Sequence, residues 1–237
     1  MISVNKRLFK FKQAFVYSTE QTTLFWLSRV YGAVKRFDIE KKILKTSADF
    51  FYRYGFVKAS IRDIVKAVGI NSSTVYLYFK SKDEILFKNI MDVGADLLEE
   101  LESVIERHSN NPVECLREMI STQVFFSKER HKEMKIYLEE LYQLRPHLRK
   151  KALEQHRRIY DLYYGKICEL EERNVLYQAD KTVITFILFS MMNWINKWFN
   201  PGGRLSIEEV TGTTVDIFFR GILKNGAVRR GAIREYP

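Results

Sequence analysis

Ser72, Ser73 and Thr74 place three short hydroxyls in a row, soon after Gly69 and directly after Asn71. Hydroxyls at a helix start can face base edges, because they both donate and accept at close range. Free backbone N–H groups at that start, and at Ser60 and Ser81, suit phosphate oxygens. A second group of residues lies far downstream. Arg149, Lys150, Lys151, His156, Arg157 and Arg158 form a basic cluster on one expected helix, and arginine binds phosphate bidentately. Tyr160, Tyr163, Tyr164, Phe186, Trp194 and Trp198 can line an apolar pocket between helices, with helix core as the alternative and, for the two tryptophans, a dimer seam. Asn193 is polar inside an apolar helix, so it needs a partner: ligand, second subunit or backbone carbonyl.

Enzyme chemistry has no matching inventory. The chain carries no Gly-rich phosphate loop, no HExxH and no Gly-x-Ser-x-Gly. His108, His131, His147 and His156 sit apart, none at metal-ligand spacing from a second His or a Cys. Cys115 and Cys168 are too few for a disulfide framework. They read as reduced thiols of a cytosolic protein. No cofactor and no metal are expected.

The elements that would position these residues are helical. Ile39, Ile43, Leu44, Ala48, Phe50 and Phe51 recur at three- and four-residue steps, and Gly55 stands where a C-cap would. Ser60-Ile-Arg-Asp63 reads as a capping box opening a helix that Gly69 stops. Asn71 caps a third short helix, Ser72 to Tyr78. Ser81-Lys-Asp-Glu84 opens a long helix toward His108. Gly69 permits a tight turn, and Ile64, Val68, Ile70 and Val75 lock the two short helices into a helix-turn-helix. Further helices are expected from Pro112 to about Ser127, Glu133 to Leu144, Pro146 to Arg173, Asp180 to Phe199, and Ser206 through Leu223, with Pro201-Gly-Gly203 as a clear break. No segment alternates with period two for long enough to be a strand. Val183–Trp198 is too short and too polar to span a bilayer, so no stable membrane insertion is expected; a helix apolar on most sides is buried in the core and against a second subunit.

Charge points to a polyanion. The chain has 237 residues and a formal net charge of +10. Residues 1–35 hold 6 Lys/Arg and 1 Asp/Glu, and residues 36–92 hold 11 and 7. Residues 93–225 are balanced at 19 and 20, and residues 226–237 hold 3 and 1. A basic end on a neutral body fits nucleic acid or an anionic membrane surface. Residues 1–34 mix Lys with aromatic residues without helical period, and Lys10, Lys12 and Gln13 interrupt any signal-peptide core. They are expected outside the fold, with a membrane-surface arm as the alternative.

Residues 39–86 resemble the DNA-binding domain of TetR/AcrR-type transcriptional regulators. The resemblance runs through Ser60-Ile61-Arg62-Asp63-Ile64, Ala67-Val68-Gly69-Ile70-Asn71 and Thr74-Val75-Tyr76-Leu77-Tyr78-Phe79-Lys80-Ser81-Lys82. It implies that Tyr76, Tyr78, Lys82 and Ser60 contact phosphates, while Ser72, Ser73 and Thr74 face bases. Patches at Tyr137–Leu141, Arg149–Tyr160, Asn193–Glu209 and Ile217–Gly221 resemble one branch, regulators of fatty-acid and sterol breakdown that sense CoA thioesters. That resemblance implies an acyl-CoA effector, with Arg157, Arg158, Tyr160, Asn193, Trp194 and Trp198 as candidate ligand contacts.

The expectation is therefore an all-α protein: an N-terminal three-helix helix-turn-helix domain plus a larger helical ligand-binding and dimerisation domain. The boundaries are 1–34 extension, 35–82 DNA-binding domain, 83–225 ligand and dimer domain, and 226–237 basic tail. Two copies would pair through helices 180–199 and 206–224 and present two recognition helices to a palindromic operator in double-stranded DNA. A small-molecule effector would release a repressor. One rival is a multidrug-type sensor of hydrophobic cations, with Glu139, Glu140 and Asp161 as pocket acids. A rival of another class is a membrane-surface or protein-interaction module using the N-terminal arm.

Overall fold

The computed structural model describes the backbone of residues 20–224, and side chains from Arg36 onward. The described residues form helices α1 (Glu20–Lys58), α2 (Ile61–Val68), α3 (Ser72–Val75), α4 (Lys82–Arg107), α5 (Pro112–Glu129), α6 (His131–Glu139), α7 (Pro146–Glu172), α8 (Lys181–Trp198) and α9 (Ile207–Ile222), with a 3₁₀ turn at Leu141–Gln143. Extended pairing among them is limited to one isolated bridge, Leu176 to Leu223. The all-α expectation holds. The basic tail 226–237 lies outside the described residues.

Two glycines set the geometry of the N-terminal domain. Gly55 has φ 74° and ψ 158° and breaks α1 one turn before its end. Gly69 adopts the left-handed conformation at φ 76°, and its N–H returns to Val65 O. A side chain at either φ would be strained. Between them, Ser60 Oγ accepts from Asp63 N at 3.1 Å. The apolar stripes then close on one another: Ile43, Phe51, Ile64, Val68, Val75 and Phe79 are all buried. Burying each such side chain stabilises the domain by roughly 1.5–3 kcal/mol.

Several boundaries differ from the sequence reading. α1 begins at Glu20, so the expected division at 34/35 falls inside a helix. α3 ends at Val75, and Tyr76–Tyr78 continue as a turn whose N–H groups return to Thr74 O and Val75 O. Asn71 occupies the N-cap position with extended backbone but makes no side-chain capping bond. At α4, Ser81 Oγ accepts from Glu84 N, while the Glu84 carboxylate takes Lys80 N rather than completing the box at Ser81. Ser206 and Glu209 do form the full reciprocal box. The helix expected over 133–144 starts at His131 and ends at Glu139, because the chain tightens into the 3₁₀ turn ahead of Pro146.

The larger domain is organised around α4, which packs against α1, α5, α6 and α7. α8 and α9 lie on the far side, against α5, α7 and each other. α6 also packs directly on α1, giving a second contact between the two parts of the chain besides α4 itself.

Candidate nucleic-acid interface

The helix-turn-helix is α2, the Gly69 turn and α3. Val75 is fully buried and anchors α3 from beneath. That anchoring turns Ser72 and Ser73 outward: both are exposed, and Thr74 is half-buried beside them. Tyr76 and Leu77 follow as exposed residues, at 53% and 70%. Large side chains standing in solvent next to a recognition segment fit a surface that is covered when a partner binds. Ser60 is half-buried, with its hydroxyl held by the Asp63 carboxylate. Tyr78 is half-buried under the Arg36 guanidinium, 5.6 Å above its ring, and Arg36 also donates to Leu77 O at 3.2 Å. Arg36 was missed by the sequence reading. It clamps the turn after α3 and brings a cation to the same face.

Lys82 makes contacts within the protein. The resemblance places it on a phosphate, but its ammonium donates to Phe56 O at 2.7 Å and Ala59 O at 2.9 Å, reaches Val57 O at 3.4 Å, and lies 4.3 Å from the Phe56 ring centre. Three N–H groups are spent on three carbonyls at the break after Gly55. Lys82 thus ties the start of α4 to the end of α1. Lys42 does the same for α2, donating to Val68 O at 2.8 Å. The cations left facing outward include Arg62, Lys66 and Lys80.

The second contact between domains is polar. Phe56 N donates to Glu140 Oε1 at 3.1 Å, Tyr52 OH meets His131 Nε2 at 3.1 Å, Lys132 pairs with Asp49, and Arg145 lies 3.6 Å from Asp83. Small charged contacts of this kind are individually weak and rearrange readily. Of the acids expected in a cation pocket, Glu140 lies at this contact and the other two pair elsewhere. Glu140 holds Phe56 N, Glu139 pairs with Lys197, and Asp161 with Arg157.

The expected ligand contacts divide into four groups. Arg157 and Arg158 are exposed, paired with Asp161 at 2.8 Å and Glu102 at 3.3 Å. Tyr160 is half-buried, within 5.7 Å of Tyr164 and 5.4 Å of Phe186, and under the Arg157 guanidinium. Trp194 and Trp198 are 65% and 50% exposed on the outer face of α8. The inward positions of α8 belong to Ile184, Leu188, Met192 and Ile195. Asn193 is half-buried, but the unpartnered buried amide of that helix is Asn196 Nδ2, one turn later.

Sequence reasoning missed Tyr137 and Gln155 as buried polar groups and put His156 in the basic cluster, whereas His156 turns inward and stacks on Tyr137. Tyr137 OH, Gln155 Oε1 and His156 Nε2 are buried without hydrogen-bond partners. The signal was available: Leu148, Ala152, Gln155, Ile159 and Tyr163 form one buried stripe of α7, so a polar residue stands in an apolar register.

Comparison with known proteins fits this geometry. The family described as "Bacterial regulatory proteins, tetR family" matches residues 43–88, and "Tetracyclin repressor-like, C-terminal domain" matches residues 109–222. The chain is 22% identical over 202 residues to the HTH-type transcriptional repressor KstR2 of Mycobacterium tuberculosis (strain H37Rv), covering 84% of this chain and 100% of that one. Among solved structures, the TetR-family regulator PfmR of Thermus thermophilus superposes with TM-score 0.69 at 26% identity, covering 77% of this chain and 99% of PfmR. AibR, solved in complex with isovaleryl coenzyme A and operator DNA, superposes with TM-score 0.68 at 28% identity, covering 76% of this chain and 97% of AibR.

Proposed function

From the premise that this chain belongs to the TetR family of bacterial regulatory proteins, we propose that it is a homodimeric repressor, released from a palindromic operator by a CoA thioester. It is a ligand-responsive, DNA-binding transcriptional regulator by family. The finer reading concerns the residues, the dimer and the effector.

Residues 35–82 form the DNA-reading unit, with α1 extending it upstream. Ser72, Ser73 and Thr74 face base edges, and Tyr76, Tyr78 and Ser60 approach phosphates. Residues 83–225 form the effector and dimer domain. Its pairing surface is the outer face of α8 and α9. Val183, Phe186, Ile187, Trp194, Trp198 and Ile217 are each at least half exposed. Positions 183, 187, 194 and 198 fall on one helical stripe running the length of α8. A second copy related by a two-fold axis would cover this stripe with itself.

The observation that carries the effector reading is the likeness to AibR bound to isovaleryl coenzyme A, together with the outward basic face of α7. Lys150, Lys151, Arg157 and Arg158 are exposed there. The ion pairs of Arg157 and Arg158 are solvent-exposed and worth about 0–1 kcal/mol each, so anionic phosphates can displace them. Operator DNA is intracellular, so the protein acts in the cytoplasm. Among the described residues, no helix is long and apolar enough to cross a membrane. The N-terminal arm invoked by the membrane-surface alternative lies outside the residues with described side chains.

The test is operator binding by fluorescence anisotropy, titrated with decanoyl-CoA and separately with decanoate. Release by the thioester alone supports the reading. Binding undisturbed by either compound removes CoA thioesters as the effector class.

A further inference from the structure

The outward face of α7 is charged, but beneath it Gln155 and His156, with Tyr137 of α6, bury atoms that have no hydrogen-bond partner. Tyr137 is 4% exposed and Gln155 is 7% exposed, yet the Tyr137 hydroxyl and the Gln155 Oε1 have no partner. His156, half-buried, stacks on Tyr137 with ring centres 4.0 Å apart and planes 19° apart, and its Nε2 is also orphaned. The groups converge. A methyl placed on Gly94 would lie 2.1 Å from Gln155 Oε1 and 2.9 Å from Tyr137 Cε2. Gly94 belongs to α4, Tyr137 to α6 and Gln155 and His156 to α7, so three helices bring these atoms to one place.

Buried polar atoms are nearly always hydrogen-bonded, and each one left open costs about 1–3 kcal/mol. An isolated case is tolerable. Three in one cluster, in a family of ligand-responsive proteins, need a common cause. We propose that Tyr137, Gln155 and His156 form the interior site that recognises the effector, and that it takes an uncharged oxygen function such as a carbonyl. The Tyr137 hydroxyl and the imidazole supply donors to that oxygen; Gln155 Oε1 is itself an acceptor, which a ligand hydroxyl or a water fills and a carbonyl does not. Burial holds His156 down to about 4, so the imidazole is neutral near pH 7. A neutral lining rejects carboxylate and ammonium headgroups, because either would lose its hydration without a countercharge.

The site deepens the proposed function, and it rests on that reading for the CoA moiety alone. An acyl-CoA divides along these lines: its phosphates meet the outer arginines and its thioester carbonyl enters among the three helices. Occupancy also has a route to the DNA-binding domain. Gln155 Nε2 donates to Met91 O on α4 at 3.0 Å, so a ligand that draws the Gln155 amide away loosens one polar tie between α7 and α4. Tyr137 lies one turn before Glu140, which holds Phe56 N.

The experiment measures calorimetric binding to the full chain for decanoyl-CoA, for S-decyl-CoA, which keeps every charge but lacks the carbonyl oxygen, and for uncharged decan-2-one. Wild type is expected to bind decanoyl-CoA about tenfold more tightly than S-decyl-CoA, the worth of one to two buried hydrogen bonds. Tyr137→Phe and His156→Phe bring that ratio toward one and weaken decan-2-one. The thermal midpoint of Tyr137→Phe stays level or rises, because no partner is left behind when an unpaired hydroxyl is removed. If decan-2-one binds in a Tyr137-dependent way while decanoyl-CoA does not, the site stands and the CoA reading falls. If decanoyl-CoA binds with a carbonyl preference that neither substitution alters, the CoA reading stands and the site is overturned. If none of the three binds, both are overturned.

Discussion

Replacing Lys82 by Met separates two roles that a family motif cannot tell apart. Methionine keeps the apolar stem and removes the three donors. Hydrogen bonds from a charged donor contribute roughly 1.5–3 kcal/mol when their loss leaves a buried acceptor open. The carbonyls of Phe56 and Ala59 sit at a half-buried site, where water replaces part of that loss. The ammonium over the Phe56 ring adds about 0.5 kcal/mol. The expected destabilisation is therefore about 2–3 kcal/mol. For a chain of this size that lowers the thermal midpoint by roughly 5–10 °C, at about 2–4 °C per kcal/mol. The assay pairs urea unfolding with the salt dependence of operator binding. A residue on a phosphate contributes about one unit to the slope of log K against log salt. A clamp contributes nothing to that slope. A midpoint that falls with an unchanged slope supports the structural role. An unchanged midpoint with a slope reduced by about one would refute it and return Lys82 to the phosphate.

Tyr76→Ala should weaken operator binding by about 1 kcal/mol, near fivefold, with stability changed by less than about 0.5 kcal/mol because the side chain is half exposed; anisotropy and urea unfolding check the two parts. Trp194→Glu places a charge in the proposed seam, and sedimentation velocity should show a monomer with operator affinity down at least about tenfold; an intact dimer would move the seam elsewhere. Glu140→Ala leaves Phe56 N–H without its acceptor, so decanoyl-CoA should shift operator affinity several-fold less than in wild type, as read by anisotropy at fixed effector. His156 titrates at about 4 when folded, against about 6.5 when unfolded. The folded state therefore binds fewer protons below 6.5, and stability falls as pH drops from 6.5 toward 4, by up to about 3 kcal/mol. His156→Gln should flatten that acid limb, as urea midpoints between pH 7 and 4 would show.

The helices were legible because their signals are local. Gly55 and Gly69, and the hydroxyls at Ser60, Ser81 and Ser206, mark termini through backbone conformation and first-turn N–H groups. The recognition segment was legible for the same reason, except its end. Nothing local stops α3 at Val75; the chain turns there so that Tyr78 lies under Arg36 and Phe79 enters the core. What stayed hidden depends on partners distant in sequence. Lys82 looks like any exposed lysine until α1 brings Phe56 and Ala59 beneath it. Trp194 reads equally as pocket or dimer seam from sequence, and only the packing shows Leu188 and Met192 on the inner face of α8. Gln155 was within reach, because its place in the Ala152–Ile159–Tyr163 register was visible, but its lack of a partner was not.

In the proposed function, two copies of this chain read a palindromic DNA sequence through Ser72–Tyr78. The most direct measurement is selection of binding sites from a random duplex library with the full chain, followed by anisotropy on the selected duplex. An inverted repeat should be enriched and bound at least about a thousandfold more tightly than unrelated DNA, with enrichment lost in a Ser72→Ala, Ser73→Ala, Tyr76→Ala variant. Recovery of no common sequence, with equal binding to every duplex tested, would contradict it.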